Sequence, residues 1–185
     1  RVGARYAIAT NSGTAALHIS LLVAGIGPED EVLLPDMTFV APANALRYVG
    51  AWPVFIDVDP DYWQIDPQKV RDFLQRECRT DSGAVVNKET GRKVKAILPV
   101  HLLGHPVEMD SLMELAQDYG LSVIEDASES LGAQYRDRQL GNIGDIGCFS
   151  FNGNKIITTG GGGMIVTDNK DWAEQAKYLT TQAKN

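Results

Sequence analysis

Cysteine is scarce in this chain. Cys78 and Cys148 are the only two, they lie far apart, and they form no C-x-x-C pair. That excludes a disulfide framework and a dithiol redox motif, and both read as reduced thiols of a cytosolic protein. No apolar run is long enough to span a bilayer, and no signal-peptide pattern opens the chain. There is no basic cluster, and 17 Lys and Arg stand against 24 Asp and Glu for a net charge of −7. That balance argues against a nucleic-acid partner. Two nucleotide signatures are also missing. The nearest match to G-x-G-x-x-G, Gly25-Ile26-Gly27-Pro28-Glu29-Asp30, lacks the last glycine and precedes a strand pattern. A P-loop fails because Asn154 separates Gly153 from Lys155 and no helix pattern follows. His101 and His105 lie near a strand end without Cys or carboxylate at ligand spacing, so no metal site is expected.

What is present is ordinary in bulk and specific in pattern. The 185 residues are 44% hydrophobic and 22% charged, enough for one core and one soluble domain. Strand and helix patterns alternate. Strands are predicted at Tyr6–Ala9, Glu31–Leu34 (ended by Pro35), Trp52–Val58, Ala96–Leu103 and Leu121–Ala127. Helices are predicted at Thr14–Gly25, at Thr38–Val49 with Pro42 in its first turn, and from Asp66-Pro67 onward with Val70, Phe73 and Leu74 on one face. Leu112, Leu115, Ala116 and Tyr119 predict an amphipathic helix over 109–119, closed by Gly120. Residues 79–93 are polar and read as an exposed excursion. From 133 to 167 short β segments and glycine turns take over (Gln134-Tyr135, Ile146–Phe151, Met164–Thr167), and Asp168–Thr180 is a last helix. Strands apolar on both faces, separated by helices, predict an α/β fold of three α-β-α layers around a mostly parallel sheet. Ligands of such sheets sit beyond the C-terminal strand ends.

Three segments carry chemistry. Asn11-Ser12-Gly13-Thr14-Ala15 opens an apolar helix, whose free N–H groups and dipole favour an anion, although Ser12 or Thr14 also reads as a plain cap. Asp126 ends the buried run Val123-Ile124-Glu125-Asp126. An ionised carboxylate there would keep a pyridine nitrogen protonated and its ring electron-poor; the plainer reading is a loop cap. Lys155 ends the β-rich run Ser150-Phe151-Asn152-Gly153-Asn154-Lys155 and is followed by Ile156–Thr159 and the tract Gly160–Gly163. A desolvated lysine can attack a carbonyl, whereas most lysines are simply solvated. Together, an anion-holding helix start, a strand-end acid and a nucleophilic amine describe a pyridoxal-phosphate site. Softer candidates are Phe39, as a ring-stacking face or core packing, Ser150 as a phosphate donor, and Glu129 as a cofactor-edge contact or exposed acid. His18 reads as a packed core histidine.

With those residues in hand, the chain resembles the DegT/StrS family of nucleotide-sugar aminotransferases, fold type I pyridoxal-phosphate enzymes. The matching motifs are Asn11 through Leu17, Pro35 through Ala43, Glu125-Asp126-Ala127, and Phe149 through Lys155 followed by Thr158 to Gly163. They span nearly the whole chain in the family's order. The resemblance implies pyridoxal 5'-phosphate as cofactor, Lys155 as Schiff-base lysine and proton shuttle, and Asp126 as partner of the pyridine nitrogen. It further implies Phe39 as the stacking ring, and Gly13, Thr14 and Ala15 N–H groups with Ser150 as the phosphate cradle. Glu129 falls where many relatives carry His or Gln near the cofactor's phenolic oxygen, a departure similar to the perosamine-synthase-like and legionaminic-acid-pathway branches. Lys155 argues against the sister dehydratases, which carry histidine there. The implied substrates are a nucleotide-linked 4-keto-6-deoxy sugar and L-glutamate, and the implied assembly is a homodimer in the cytoplasm. The chain begins at Arg1 almost directly in a strand and stops at Asn185 just after a helix pattern. The expectation is a large cofactor-binding domain over 1–185, lacking the family's N-terminal lead and C-terminal small domain. The rival expectations are a folded module without turnover of its own, or a different reaction such as cysteine desulfuration, which neither Cys78 nor Cys148 suits.

Overall fold

The computed structural model describes residues 2–183. In chain order these fold as β1 (Tyr6–Thr10), α1 (Gly13–Val23), β2 (Asp30–Pro35), α2 (Val40–Tyr48), β3 (Trp52–Ile56), α3 (Pro67–Arg76), β4 (Cys78–Asp81), β5 (Ala84–Asn87) and β6 (Lys93–Ile97). A 3₁₀ turn at Leu102–Gly104 leads to α4 (Met109–Tyr119) and β7 (Ser122–Asp126). The small pair β8 (Gln134–Tyr135) and β9 (Arg138–Gln139) precedes β10 (Ile146–Ser150), β11 (Gly163–Thr167) and α5 (Lys170–Thr180).

The main sheet runs β1-β11-β10-β7-β6-β2-β3. From β10 to β3 all neighbours are parallel, while β1 and β11 are antiparallel. The period of two distributes the core. Val32, Leu34, Ala96 and Ile124 face one side with Leu17, Leu21 and Ala176, whereas Leu33, Ile97 and Val123 face the other with Leu74, Leu112 and Leu115. The sheet is thus covered on both sides, by α1, α2 and α5 on one and by α3 and α4 on the other, the three-layer α/β architecture predicted. α1 lies between α2 and α5 and against β10 and β11, which is why its sequence is apolar nearly all round.

Two predicted elements and one residue differ. Residues 79–93 do not form a free excursion, because β4 and β5 pair as a hairpin and β5 adds antiparallel to β6. Its polar residues find partners in the fold: Asn87 donates to Glu31 Oε2 at 2.9 Å and Thr90 to Glu31 Oε1 at 2.7 Å. The apolar run 96–103 is a strand only as far as Ile97. Pro99 has no N–H to donate, and the chain turns at Leu103, which adopts φ 56° and ψ 20°. His18 is half-buried and meets Tyr48 edge-on, with ring centroids 5.7 Å apart, and so is no core residue.

Among the described residues no helix is long and apolar enough to cross a membrane. Both cysteines are free and buried. Burial pushes their thiols up, Cys78 to about 11, so neither offers a ready thiolate.

Candidate active site

The parallel strands β6, β7 and β10 point their C-terminal ends to the same edge of the sheet, and the segments that follow them enclose a cavity of about 250 Å³. One wall is the N-terminus of α1, with Ser12, Gly13 and Thr14. Phe39, just before α2, forms another. Val100, His101 and Leu102 come from the segment after β6, Asp126, Ser128 and Glu129 from the end of β7, and Ser150, Asn152, Asn154 and Lys155 from β10 and its loop. Seven of the eight candidate residues therefore converge, from positions spread over most of the chain. A larger and more open hollow of about 490 Å³, beside Arg71, Glu108 and Ser111, contains none of them. Convergent chemistry, not size, singles out the smaller cavity.

Each candidate has a definite setting. Ser12 is extended and caps α1, its Oγ accepting the Ala15 N–H at 3.1 Å. Ala15 lies outside the cavity lining with its N–H engaged by that cap, while Gly13 and Thr14 face the cavity. A Cβ built on Gly13 would stand 2.8 Å from Ser150 Cβ, so only glycine lets the helix start approach β10 this closely. The glycine tract has a similar reason, since a Cβ on Gly163 would meet the Ser12 carbonyl oxygen at 2.4 Å. Phe39 is 69% exposed, which rules out its reading as core packing, and the Lys155 amine lies 6.0 Å from its ring centre. Ser150 Oγ lines the cavity and accepts the Asn152 N–H at 3.4 Å.

Asp126 is buried and accepts the Ser128 N–H through Oδ1 at 3.0 Å. Burial pushes its carboxyl up, and the Ser128 hydrogen bonds and the Lys155 charge only partly pull it back. An acid in that condition gains from a cationic partner. Lys155 stands on the exposed loop after β10, where residues 151–155 turn instead of continuing the β-rich run expected, and its flank Ile156-Ile157 faces outward. Its amine nonetheless turns inward to Glu129 Oε1 at 3.0 Å. Glu129 Oε2 accepts the Leu103 N–H at 2.8 Å. Burial pushes the Glu129 carboxyl up, but Leu103 and Lys155 outweigh it and leave it lowered.

Two contributors escaped sequence reading. His101, weighed only as a metal ligand, is fully buried in the cavity floor. Its Nδ1 accepts the Val107 N–H at 3.2 Å, leaving the ring proton on Nε2 for Glu125 Oε2 at 2.9 Å. Glu125, noted only as a motif letter, faces away from Asp126 by strand alternation and takes three further N–H groups, from Gly141, Ile143 and Gly144. The available signal was His101 itself, a polar residue closing an apolar run as Asp126 does. Among the described residues no group of three or more His, Cys, Asp or Glu side chains is placed to hold a metal ion.

The arrangement has recognisable relatives. GDP-perosamine synthase of Caulobacter vibrioides is 45% identical over 180 residues, covering 97% of this chain and 44% of that protein. The structure of DesV from S. venezuelae superposes with a TM-score of 0.85 at 36% identity, over 97% of this chain and 44% of that one. NtdA from Bacillus subtilis, solved with bound cofactor PMP, gives a TM-score of 0.80 at 34% identity, over 96% of this chain and 36% of that one. The chain thus spans less than half the length of these proteins. The model of the DegT/DnrJ/EryC1/StrS aminotransferase family matches residues 1–185, and the chain belongs to that family of pyridoxal-phosphate-dependent enzymes.

Proposed function

We propose that residues 1–185 are the cofactor-binding large domain of an aminotransferase that aminates a nucleotide-linked 4-keto-6-deoxy sugar, with L-glutamate as donor. The observation that carries this reading is the meeting of the Lys155 amine, the Asp126 carboxyl and the α1 N-terminus in one cavity. The cavity suits pyridoxal phosphate. Gly13 keeps the helix start open against Ser150, Asp126 is a buried acid short of a cation, and Phe39 offers an uncovered aromatic face. The 45% identity to a GDP-perosamine synthase supports a sugar nucleotide as the class of acceptor.

When bound, the cofactor supplies an electrophilic aldehyde and an electron-accepting ring. Gly13 and Thr14 N–H groups and the Ser150 hydroxyl would hold its phosphate at the positive end of α1. Asp126 would hold the proton of the ring nitrogen, and Phe39 would cover the ring face. Lys155 Nζ would be the amine that anchors the aldehyde and, once displaced by the amino donor, the base placed to move a proton between the donor's carbon and the aldehyde carbon. Such transfers work only between groups already in reach, and the loop after β10 brings Nζ inward from an exposed turn.

The exposed apolar rim of Phe39, Val40, Leu103, Ile156 and Ile157 supports a second copy of the protein closing over the cavity, in a cytoplasmic homodimer. The same rim favours the second reading, a folded module that binds cofactor without turning over alone. The test is a visible spectrum after mixing with pyridoxal phosphate, followed by borohydride reduction and peptide mapping. A yellow species bleached by glutamate, with the reduced adduct on Lys155, is expected. An adduct on another lysine refutes the assignment. A normal rate of sugar amination refutes the second reading.

A further inference from the structure

Glu129 does more than line the cavity wall. Its two oxygens are divided between the Lys155 amine at 3.0 Å and the Leu103 N–H at 2.8 Å. The second contact is a built one. Leu103 sits in the left-handed region at φ 56°, where a leucine is disfavoured, and its side chain is exposed and gains nothing by packing. The conformation is imposed from Leu102, whose N–H and C=O are both engaged by the side-chain amide of Gln64, at 3.1 and 3.2 Å. Gln64 is itself buried, reaching in from the β3–α3 connection. A clasp running from Gln64 through the 102–104 turn therefore fixes the Glu129 carboxylate beside the amine.

Building on the reading of Lys155 as the covalent residue, we propose that Glu129 is its counter-ion and keeps the amine engaged in a hydrogen bond until cofactor arrives, restraining its attack on an aldehyde. The other titratable groups lining the cavity are Asp126 and His101. Asp126 is buried at the floor with Oδ1 on the Ser128 N–H, and His101 is bonded to Glu125 and the Val107 N–H. Phe39 presents its ring to Nζ at 6.0 Å and carries no charge. Only Glu129 is in hydrogen-bond contact with the amine among these residues. For the C–N bond to form, the ammonium must first lose a proton to solvent, and the aldehyde oxygen then leaves as water. The charge-assisted hydrogen bond to Glu129 must also be given up before Nζ can attack, which slows capture.

The experiment follows the rate at which the full chain, stripped of cofactor, captures added pyridoxal phosphate at pH 7.5, with the site mapped by borohydride. Glu129→Gln, which leaves only a weaker neutral contact, is expected to capture about tenfold faster. Glu129→Ala, which also removes the charge, should repeat the acceleration if the glutamine variant misfolds. A residue that merely positioned the amine would give slower capture when removed. Unchanged or slower capture on Lys155 in both variants overturns the counter-ion role. Absence of any adduct on Lys155 in the unaltered protein overturns the underlying assignment instead.

Discussion

His101 Nε2 donates to Glu125 Oε2 at 2.9 Å, and both side chains are fully buried. Burial alone would push the Glu125 carboxyl up. The His101 contact and the N–H groups of Gly144 and Gly141 reverse this and leave it below its ordinary 4.5. A depressed carboxyl contributes stability above its unfolded pKa and loses it as pH falls through the folded one. Thermal melts should therefore decline below about pH 4.5 in the unaltered protein, and Glu125→Gln should flatten that acid limb. Glu125→Ala strands four donors and should lower stability by more than about 3 kcal/mol.

Asp126 has the opposite sign. Its folded pKa is raised, so its contribution is fully present below the ordinary 3.8 and is lost as pH rises through the folded value. Asp126→Asn removes a buried charge with little change of shape. The cofactor-free variant should melt at or above the unaltered protein at neutral pH, each kcal/mol being worth about 2–4 °C. With cofactor restored, and if the chain carries the proposed amination, the variant's rate should fall at least about a hundredfold. A variant that melts lower and keeps its rate would contradict both statements.

Gly13→Ala tests the phosphate cradle. The new methyl meets Ser150 Cβ at 2.8 Å and has to push α1 away from β10. Overpacking of this kind costs about 1–3 kcal/mol. The melting temperature should drop accordingly, and affinity for pyridoxal phosphate, read by titration, should weaken by about tenfold or more.

Leu103→Gly should stabilise the protein. The residue has φ 56° with its side chain 75% exposed, so glycine relieves backbone strain and forfeits little burial. The left-handed conformation costs a leucine about 1–2 kcal/mol, partly offset by the freer unfolded chain. A melting temperature higher by a few degrees is expected, and a decrease would show that the turn is not strained.

Much of the fold was legible because local pattern follows burial. Leu112, Leu115 and Ala116 lie on the buried face of α4, whose bounds match the predicted 109–119, and Asp66-Pro67 opens α3 as read. Pattern misled where polar groups satisfy one another inside the fold. The 79–93 segment looked solvated because of its polar residues and the turn signals Asp81-Ser82-Gly83 and Thr90-Gly91, yet Asn87 and Thr90 bond to Glu31. The apolar run at 96–103 looked like one strand because hydrophobicity says nothing of a proline's missing N–H or of a turn clamped from Gln64. The candidate residues were found in four separate segments, at 13–15, 39, 126–129 and 150–155. Their convergence on one site was expected from their chemistry, whereas the places of His101 and Glu125 beneath it were not visible.

By itself the sequence determined which way neighbouring side chains point. In β7 the period of two sends Asp126 and Glu125 to opposite faces, whatever else the chain does. It also determined that helices would cover both faces of a parallel sheet, because the strands are apolar on each side. The partners were decided only in three dimensions. Glu125 meets His101 across 24 positions and Glu129 meets Lys155 across 26. Those meetings depend on strand order, with β10 and β6 on either side of β7. Residue spacing does not encode that order, since it is selected by the packing of the whole core.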